Sequence, residues 1–183
     1  MSDLEARRAR FDALFREHHP AVRAYARRRA PSEAVDDVVS ETFLIVWRRL
    51  EGVPDPPLAW LLAVARNVAG TQRRGAARRH RLWVKAQAGH VEGYDPSERQ
   101  IGHGRVVAAL ARLSERDRET LTLVGWDGLT PAQAAAVLGQ PPDRFRQRLH
   151  RAALRLKAQL AADPAPEEPA PPRHDPASEG VPA

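Results

Sequence analysis

Apolar residues recur at helical intervals along most of this chain, and no stretch alternates between apolar and polar residues as a half-buried strand does. The clearest case is the segment 35–50, where apolar residues follow one another at steps of three, one, four, three and four. Such spacing puts one continuous apolar stripe on a helix. The sequence therefore predicts an all-α fold. The stripe consists of Val35, Val38, Val39, Phe43, Val46 and Leu50.

Turn-forming residues divide the first half of the chain into three helices. Pro20 lies inside the first apolar pattern and is expected to break or kink it, because proline cannot donate the helical hydrogen bond. Ser32 follows a proline and is a candidate N-cap for the second helix. Three prolines in 52–57 predict a loop. A third helix then runs from Leu58 toward Lys85.

The second half carries the sequence signals of a helix-turn-helix in residues 129–152. Ser114 is a candidate cap for the preceding helix, and Thr130 with Gln133 matches a capping box. Gly139 ends a short, alanine-rich helix, which leaves room for the next helix to pack closely across it. The last helix has a predicted buried stripe of Phe145, Leu149, Ala152, Leu156 and Leu160.

Two segments lack helical periodicity. Residues 86–105 contain four glycines, and residues 163–183 contain seven of the 16 prolines and a net charge of −4. The sequence thus predicts two small helical domains, 8–85 and 106–162, joined by a flexible linker at 86–105 and followed by a disordered, acidic, proline-rich tail at 163–183.

Composition excludes several classes of function. The chain has no cysteine, which rules out disulfides, thiolate metal sites and cysteine nucleophiles. No glycine-rich phosphate loop follows a strand, and no histidines have metal-ligand spacing. The N-terminus has no apolar signal segment, and no apolar run is long enough to cross a bilayer. We expect a soluble, cytoplasmic protein that is not an enzyme, needs no cofactor and does not insert into a membrane.

The distribution of charge points to a polyanionic partner. The chain has a net charge of +6, and 27 of its 29 basic residues are arginine. Residues 1–85 have a net charge of +7 and residues 106–162 a net charge of +4, while residues 56–91 contain no acidic side chain at all. Because arginine binds phosphate and guanine edges well, these basic segments favour nucleic acid.

The predicted recognition helix has the side chains that major-groove binding requires. Arginine can recognise guanine and glutamine can recognise adenine, while further arginines bind phosphates. The alternative to DNA binding is a charged surface helix that contacts only solvent. The candidate DNA-binding residues are Arg144, Arg146, Gln147, Arg148, His150 and Arg151.

Three segments in a fixed order resemble a known family. Residues 35–50 (VDDVVSETFLIVWRRL), 59–74 (AWLLAVARNVAGTQRR) and 109–156 are similar to the second region, the promoter-melting helix and the fourth region of extracytoplasmic-function (ECF) sigma factors. The resemblance implies a protein that binds core RNA polymerase and directs it to the −10 and −35 elements of promoter DNA. It also implies an anti-sigma factor as a partner.

The resemblance assigns roles to particular residues. The core polymerase-binding residues would be Asp36, Asp37, Val38, Glu41, Phe43 and Trp47. The −10 element would be bound by Trp60, Arg66, Asn67, Arg73 and Arg74. Arg146, Gln147, His150 and Arg151 would recognise the −35 bases, with Arg144 and Arg148 on the DNA backbone.

Other interpretations remain open at this stage. Val38 and Phe43 could belong only to the core, Trp60 could be an inward anchor, and Arg66 could pair with an acid inside the protein. An ordinary helix-turn-helix regulator without polymerase contact would account for 106–162. That interpretation leaves the acidic helix at 35–50 and the helix that carries Asn67 unexplained.

Overall fold

The computed structural model describes residues 3–86 and 104–162, with residues 76–86 described by their backbone alone. Every regular element in these residues is helical, which confirms the all-α prediction. The linker prediction falls largely, and the tail prediction wholly, outside the described residues. The α-helices are α1 (Asp3–Arg27), α2 (Val35–Arg48), α3 (Leu58–Ala86), α4 (Gly104–Ala111), α5 (Glu115–Gly125), α6 (Pro131–Val137) and α7 (Pro142–Ala162).

Helices α1, α2 and α3 pack on one another and form the first domain. The apolar stripe of α2 faces inward, as its spacing predicts, and Leu61, Leu62 and Ala65 of α3 are fully buried against it. Phe11 and Phe15 of α1 contact Phe43 of α2, with ring centroids 6.3 and 4.7 Å apart. The core of this domain is thus an aliphatic layer closed at one side by aromatic rings.

Helix α1 runs through Pro20 as one helix, so of the two outcomes predicted there the break does not occur, because a proline removes only its own N–H from the helical ladder and the neighbouring turns still pack on the core. The prediction for Ser32 is wrong. Ser32 does not cap α2. It begins a 3₁₀ turn (Ser32–Ala34), its hydroxyl faces Glu33, and α2 starts at Val35 without a side-chain cap. A second 3₁₀ turn, Leu50–Gly52, leads into the proline-rich loop.

Helices α4 to α7 form the second domain, and its local signals are confirmed. The Ser114 hydroxyl accepts a hydrogen bond from the Asp117 N–H at the start of α5. Thr130 and Gln133 form both hydrogen bonds of a capping box at the start of α6. Gly139 has φ +61°, a left-handed conformation that favours glycine, and it turns the chain from α6 into α7. The helix-turn-helix therefore forms where the sequence predicts it.

The two domains pack against each other. Helix α6 lies against α3, and the small side chains Ala134 and Ala135 of α6 are buried in one apolar cluster with the core of the first domain. Phe145, which is fully buried, fixes α7 beneath this layer. The contact brings the recognition helix close to α3, which carries the predicted −10 residues.

Candidate nucleic-acid and protein interfaces

The outward side of α2 carries acidic residues and, at the end of the same row, one exposed apolar residue. Asp37, Ser40 and Glu41 are exposed there, because the helix turns its valine stripe inward. Leu44 follows one turn after Ser40 and Glu41 and is 54% exposed. We call Asp37, Ser40, Glu41 and Leu44 the α2 outward face. Its mixture of carboxylates and an apolar side chain is suited to contact with another protein.

The other predicted polymerase-binding residues lie off this face. Val38 and Phe43 are 0% and 3% exposed, so their side chains belong to the core and offer no contact surface. This burial favours the alternative that assigns both residues only to the core. Trp47 is half-buried, 5.3 Å from the ring of Phe11. Asp36 is exposed at the edge of α2 and pairs with Arg23 of α1.

The residues predicted to bind the −10 element fall into two groups along α3. Arg66, Asn67, Arg73 and Arg74 line one cavity of about 120 Å³ at the junction of the two domains. Trp60 is not part of this cavity. It packs against the first-domain core as a partly buried residue, in agreement with its interpretation as an inward anchor.

Glu119 of α5 is the centre of the domain junction. Its side chain is 8% exposed, and its Oε1 atom accepts hydrogen bonds from the Tyr25 hydroxyl at 3.0 Å and the Arg66 Nε–H at 3.1 Å. An Arg29 guanidinium nitrogen lies 3.2 Å from the same oxygen. Two guanidinium groups thus neutralise a carboxylate that would be costly to bury alone. The internal acid considered for Arg66 is therefore Glu119, from the other domain.

Further ion pairs cross the junction, among them Arg29 with Glu115 at 4.0 Å. Arg73 Nη1 lies 2.6 Å from Glu115 Oε1, and this hydrogen bond holds the pKa of Glu115 below its ordinary value. Arg28 pairs with Asp127, which follows α5. Burial raises the pKa of Asp127 despite the neighbouring Arg28, since desolvation disfavours the charged carboxylate. Burial likewise raises the pKa of the Tyr25 phenol.

Helix α7 presents five of its six predicted DNA-binding side chains to solvent. Arg146 pairs with Asp143 one turn earlier, and Arg151 donates to the Gln147 carbonyl oxygen at 3.3 Å. The exposed residues are Arg144, Arg146, Gln147, His150 and Arg151. Their common exposure on a 21-residue helix leaves one basic surface free to enter a major groove.

Arg148, the sixth, is half-buried and lines a second cavity of about 280 Å³. Arg66 of α3 and Arg116, Arg144 and Arg148 of the second domain surround this cavity, and among the residues that the structure describes Glu119 is its one acidic side chain. Arg66 is therefore shared between both cavities. The structure thus brings part of the predicted −10 set next to part of the predicted −35 set.

Sequence patterns could not find the junction residues Arg28, Arg29, Glu115, Glu119 and Asp127. Their pairings join positions up to 99 residues apart, and no local periodicity reports such a contact. By contrast, the sequence pattern alone could have identified Leu44 as an exposed apolar residue. It is the one leucine on the polar side of α2, and a helical projection of 35–48 separates it from the inward valines.

The side chains described in residues 3–75 and 104–162 include no cluster of three or more metal-ligating groups. No helix in that part of the chain is both long and apolar enough to span a bilayer.

Comparisons with known proteins account for both domains. The description of Sigma-70 region 2 matches residues 14–79, and that of Sigma-70 region 4 matches residues 103–156. These two regions, in this order, define a sigma factor of RNA polymerase. The curated protein "ECF RNA polymerase sigma factor SigL" of Mycobacterium tuberculosis is 36% identical over 155 residues, which cover 80% of this chain and 88% of SigL. "RNA polymerase sigma factor CnrH" of Cupriavidus metallidurans is 33% identical over 146 residues, which cover 73% of this chain and 76% of CnrH.

Solved structures agree with these relatives. The sigma factor RpoE of Bartonella quintana, solved with the anti-sigma factor NepR, has a TM-score of 0.64 at 25% identity, covering 84% of this chain and 98% of RpoE. CnrH, solved with the cytosolic domain of CnrY, has a TM-score of 0.58 at 30% identity, covering 84% of this chain and 89% of CnrH. The chain belongs to the ECF sigma factors.

Membership in this family defines the activity. The protein binds core RNA polymerase and directs promoter-specific initiation of transcription. The alternative of an ordinary helix-turn-helix regulator is not favoured, because the region 2 match covers the segments that such a regulator leaves unexplained.

Proposed function

We propose that the α2 outward face is the surface that binds core polymerase. One observation carries this proposal: Asp37, Glu41 and the exposed Leu44 form an acidic and apolar surface on a domain that is otherwise basic. Such a surface repels DNA and complements a basic groove with apolar residues on a protein. Val38 and Phe43 contribute by holding the helix in position from the core side.

Helix α3 is proposed to bind the −10 element. Arg66, Arg73 and Arg74 can bind the backbone of a separated strand, and the exposed Asn67 can form hydrogen bonds with an unstacked base edge. Trp60 supports this function by fixing the first turn of α3 to the core. These residues lie on one helix in a segment, 56–91, that has no acidic side chain.

Helix α7 is proposed to recognise the −35 element. Arg146, Gln147, His150 and Arg151 are exposed on the side that can enter the major groove. Arg144 and Arg148 line one cavity with Gly139 and Gln140 of the turn that follows α6, and we expect them to bind backbone phosphates.

A charge-reversal pair tests the docking surface. Asp37→Arg with Glu41→Arg should abolish binding to purified core polymerase and leave the far-ultraviolet circular dichroism unchanged, because both residues are exposed. The matched control is Asp12→Arg with Glu17→Arg, which makes the same change in net charge at exposed positions of α1. The control should bind core polymerase as the wild type does. Wild-type affinity in the α2 variant would contradict the proposed surface.

The proposal extends to partners and location. The RpoE and CnrH structures contain the anti-sigma factor NepR and the cytosolic domain of CnrY, respectively. By similarity, we include an anti-sigma factor among the partners of this chain. Sigma factors regulate transcription without catalysing a reaction themselves. Core polymerase and chromosomal DNA are both cytoplasmic, so the proposal includes a cytoplasmic location.

A further inference from the structure

One cavity of the second domain is lined by arginines that come from two different helices. It has a volume of about 280 Å³ and lies between α5, the turn after α6 and the first turns of α7. Arg116 of α5 and Arg144 and Arg148 of α7 line it, together with Gln140 of the turn. We call the site formed by these four residues the arginine cavity. All four belong to the second domain, so the site does not depend on where the first domain lies.

The three arginines of this cavity have no acidic partner. Among the residues that the structure describes, Arg116, Arg144 and Arg148 form no ion pair and no side-chain hydrogen bond. Glu119 also lines the cavity, but two guanidinium groups of the first domain already balance its charge. Three positive charges held close together repel one another unless an anion lies between them. The cavity is therefore a site of unbalanced positive charge.

Two polar atoms of the cavity are buried without a hydrogen-bond partner among the described residues. They are the Nε of the half-buried Arg148 and the side-chain oxygen of Gln140. Buried polar groups are normally paired, because leaving one unpaired costs free energy. An oxyanion can supply the acceptor that the Arg148 Nε–H requires. Rotation of the Gln140 amide presents its own N–H groups to the same anion.

We propose that the arginine cavity binds a diphosphate group, either as free pyrophosphate or as the diphosphate of a nucleotide. A single phosphate group carries a charge of about −1.5 to −2 at neutral pH, which is less than the charge of three guanidinium groups. Two adjoining phosphate groups balance that charge, and they offer oxygens to separate arginines, whose planar N–H donors match phosphate geometry. The volume of about 280 Å³ is close to the lower end of the range for small-ligand pockets, roughly 300–1,000 Å³.

The bound ligand would compete with promoter DNA. This consequence rests on the function proposed for α7, in which Arg144 and Arg148 bind backbone phosphates. A diphosphate held by these two side chains occupies donors that a phosphate of the −35 duplex would otherwise receive. The buried Arg148 Nε favours the small ligand for this site, because a small anion can enter a cavity whereas the backbone of a duplex contacts surface atoms.

Isothermal titration calorimetry of the full-length protein tests the site directly. The probes are inorganic pyrophosphate, ADP and inorganic phosphate, at one ionic strength and without divalent cations. Pyrophosphate or ADP should bind saturably at one site per chain, and phosphate should bind more weakly. Tighter binding of pyrophosphate supports the free anion as ligand, and tighter binding of ADP supports a nucleotide. The absence of saturable binding by both, or equal affinity for phosphate and pyrophosphate, would overturn the inference.

Charge-matched variants show whether the ligand occupies this cavity. Arg116→Gln with Arg144→Gln, at exposed positions, should weaken binding by about 100-fold, about tenfold for each charged hydrogen bond lost. The control is Arg112→Gln with Lys157→Gln, which makes the same change in net charge at exposed positions outside the cavity and should bind as the wild type does. Equal losses in both variants would show attraction to a basic surface and would overturn the site.

A conservative variant separates a built site from simple charge attraction. Arg148→Lys keeps the positive charge and removes the Nε–H, so it should weaken binding by about 10- to 150-fold. Unchanged affinity in this variant would contradict the proposed geometry. If circular dichroism shows that Arg148→Lys does not fold, the exposed double variant still decides the question.

Competition with DNA has its own readout, which is binding of a promoter fragment by the holoenzyme in a mobility-shift assay. Pyrophosphate should weaken this binding for the wild type and much less for Arg116→Gln, because Arg116 has no proposed contact with DNA. An equal effect on both proteins would refute competition through the arginine cavity. Failure of the function proposed for α7 is distinguishable. Normal promoter binding by Arg144→Gln with Arg148→Gln, measured without ligand, would refute the backbone contacts and leave the calorimetric test of the site in force.

Discussion

Replacement of Phe43 by alanine distinguishes a core residue from a polymerase contact. The Phe43 ring is 3% exposed and lies 6.3 Å from the ring of Phe11, 4.7 Å from that of Phe15 and 6.1 Å from that of His19. Removing a buried phenylalanine costs about 3–5 kcal/mol, because the transfer free energy is lost and a cavity remains. This loss is a large part of the free energy of unfolding of a domain, which is about 5–15 kcal/mol in total.

The assay is urea denaturation of the full-length protein followed by far-ultraviolet circular dichroism, with Phe43→Leu as the control. The leucine variant keeps an apolar side chain and should lose mainly the aromatic contacts, which are worth about 0.5–1.5 kcal/mol per pair. At low temperature, where the alanine variant is still folded, its affinity for core polymerase should remain close to that of the wild type. The reasoning is refuted if Phe43→Ala leaves the denaturation midpoint in place and weakens core binding.

Three more predictions concern the second domain and the junction. Arg146→Ala should relax base preference at one −35 position by about 1–3 kcal/mol, measured as initiation from a set of −35 variants; an equal loss on every promoter would make Arg146 a phosphate contact. Thr130→Ala removes the capping box and should destabilise the second domain by about 0.5–2 kcal/mol in urea denaturation, whereas Thr130→Ser should not. Because the hydrogen bond from Arg73 holds the pKa of Glu115 below its ordinary value of 4.5, this ion pair stabilises the folded protein above that pH and the contribution is lost as pH falls through the folded pKa. Glu115→Gln should therefore flatten the loss of stability below about pH 4.5 in urea denaturation, and an unchanged pH profile would contradict this assignment.

Local chemistry in the sequence accounts for most of the fold. The valine stripe of α2, the Ser114 cap and the Thr130–Gln133 capping box each depend on residues within a few positions of one another, so their spacing alone predicts them. Ser32 shows where this reasoning fails. A serine before an apolar stripe favours an N-cap, but the chain completes a 3₁₀ turn first and α2 begins without its help. At Pro20 the predicted break does not occur, since the packing of α1 outweighs a local helix breaker.

The candidate site was predictable only in part. The exposed arginines of α7 follow from the position of Phe145 and its apolar stripe, because what is not buried on an amphipathic helix faces solvent. The partner of Arg66 does not follow from any local pattern, since Glu119 lies 53 positions further along the chain. Such a contact depends on how two domains meet, and only the folded arrangement reveals it.

Transcription in vitro with purified core polymerase tests the central claim most directly. The polymerase is supplied with a pool of genomic promoter fragments, with and without this protein. The account predicts discrete new transcripts whose start sites share two upstream elements, near −10 and −35. The absence of new transcripts, together with the absence of any binding to core polymerase, would contradict it.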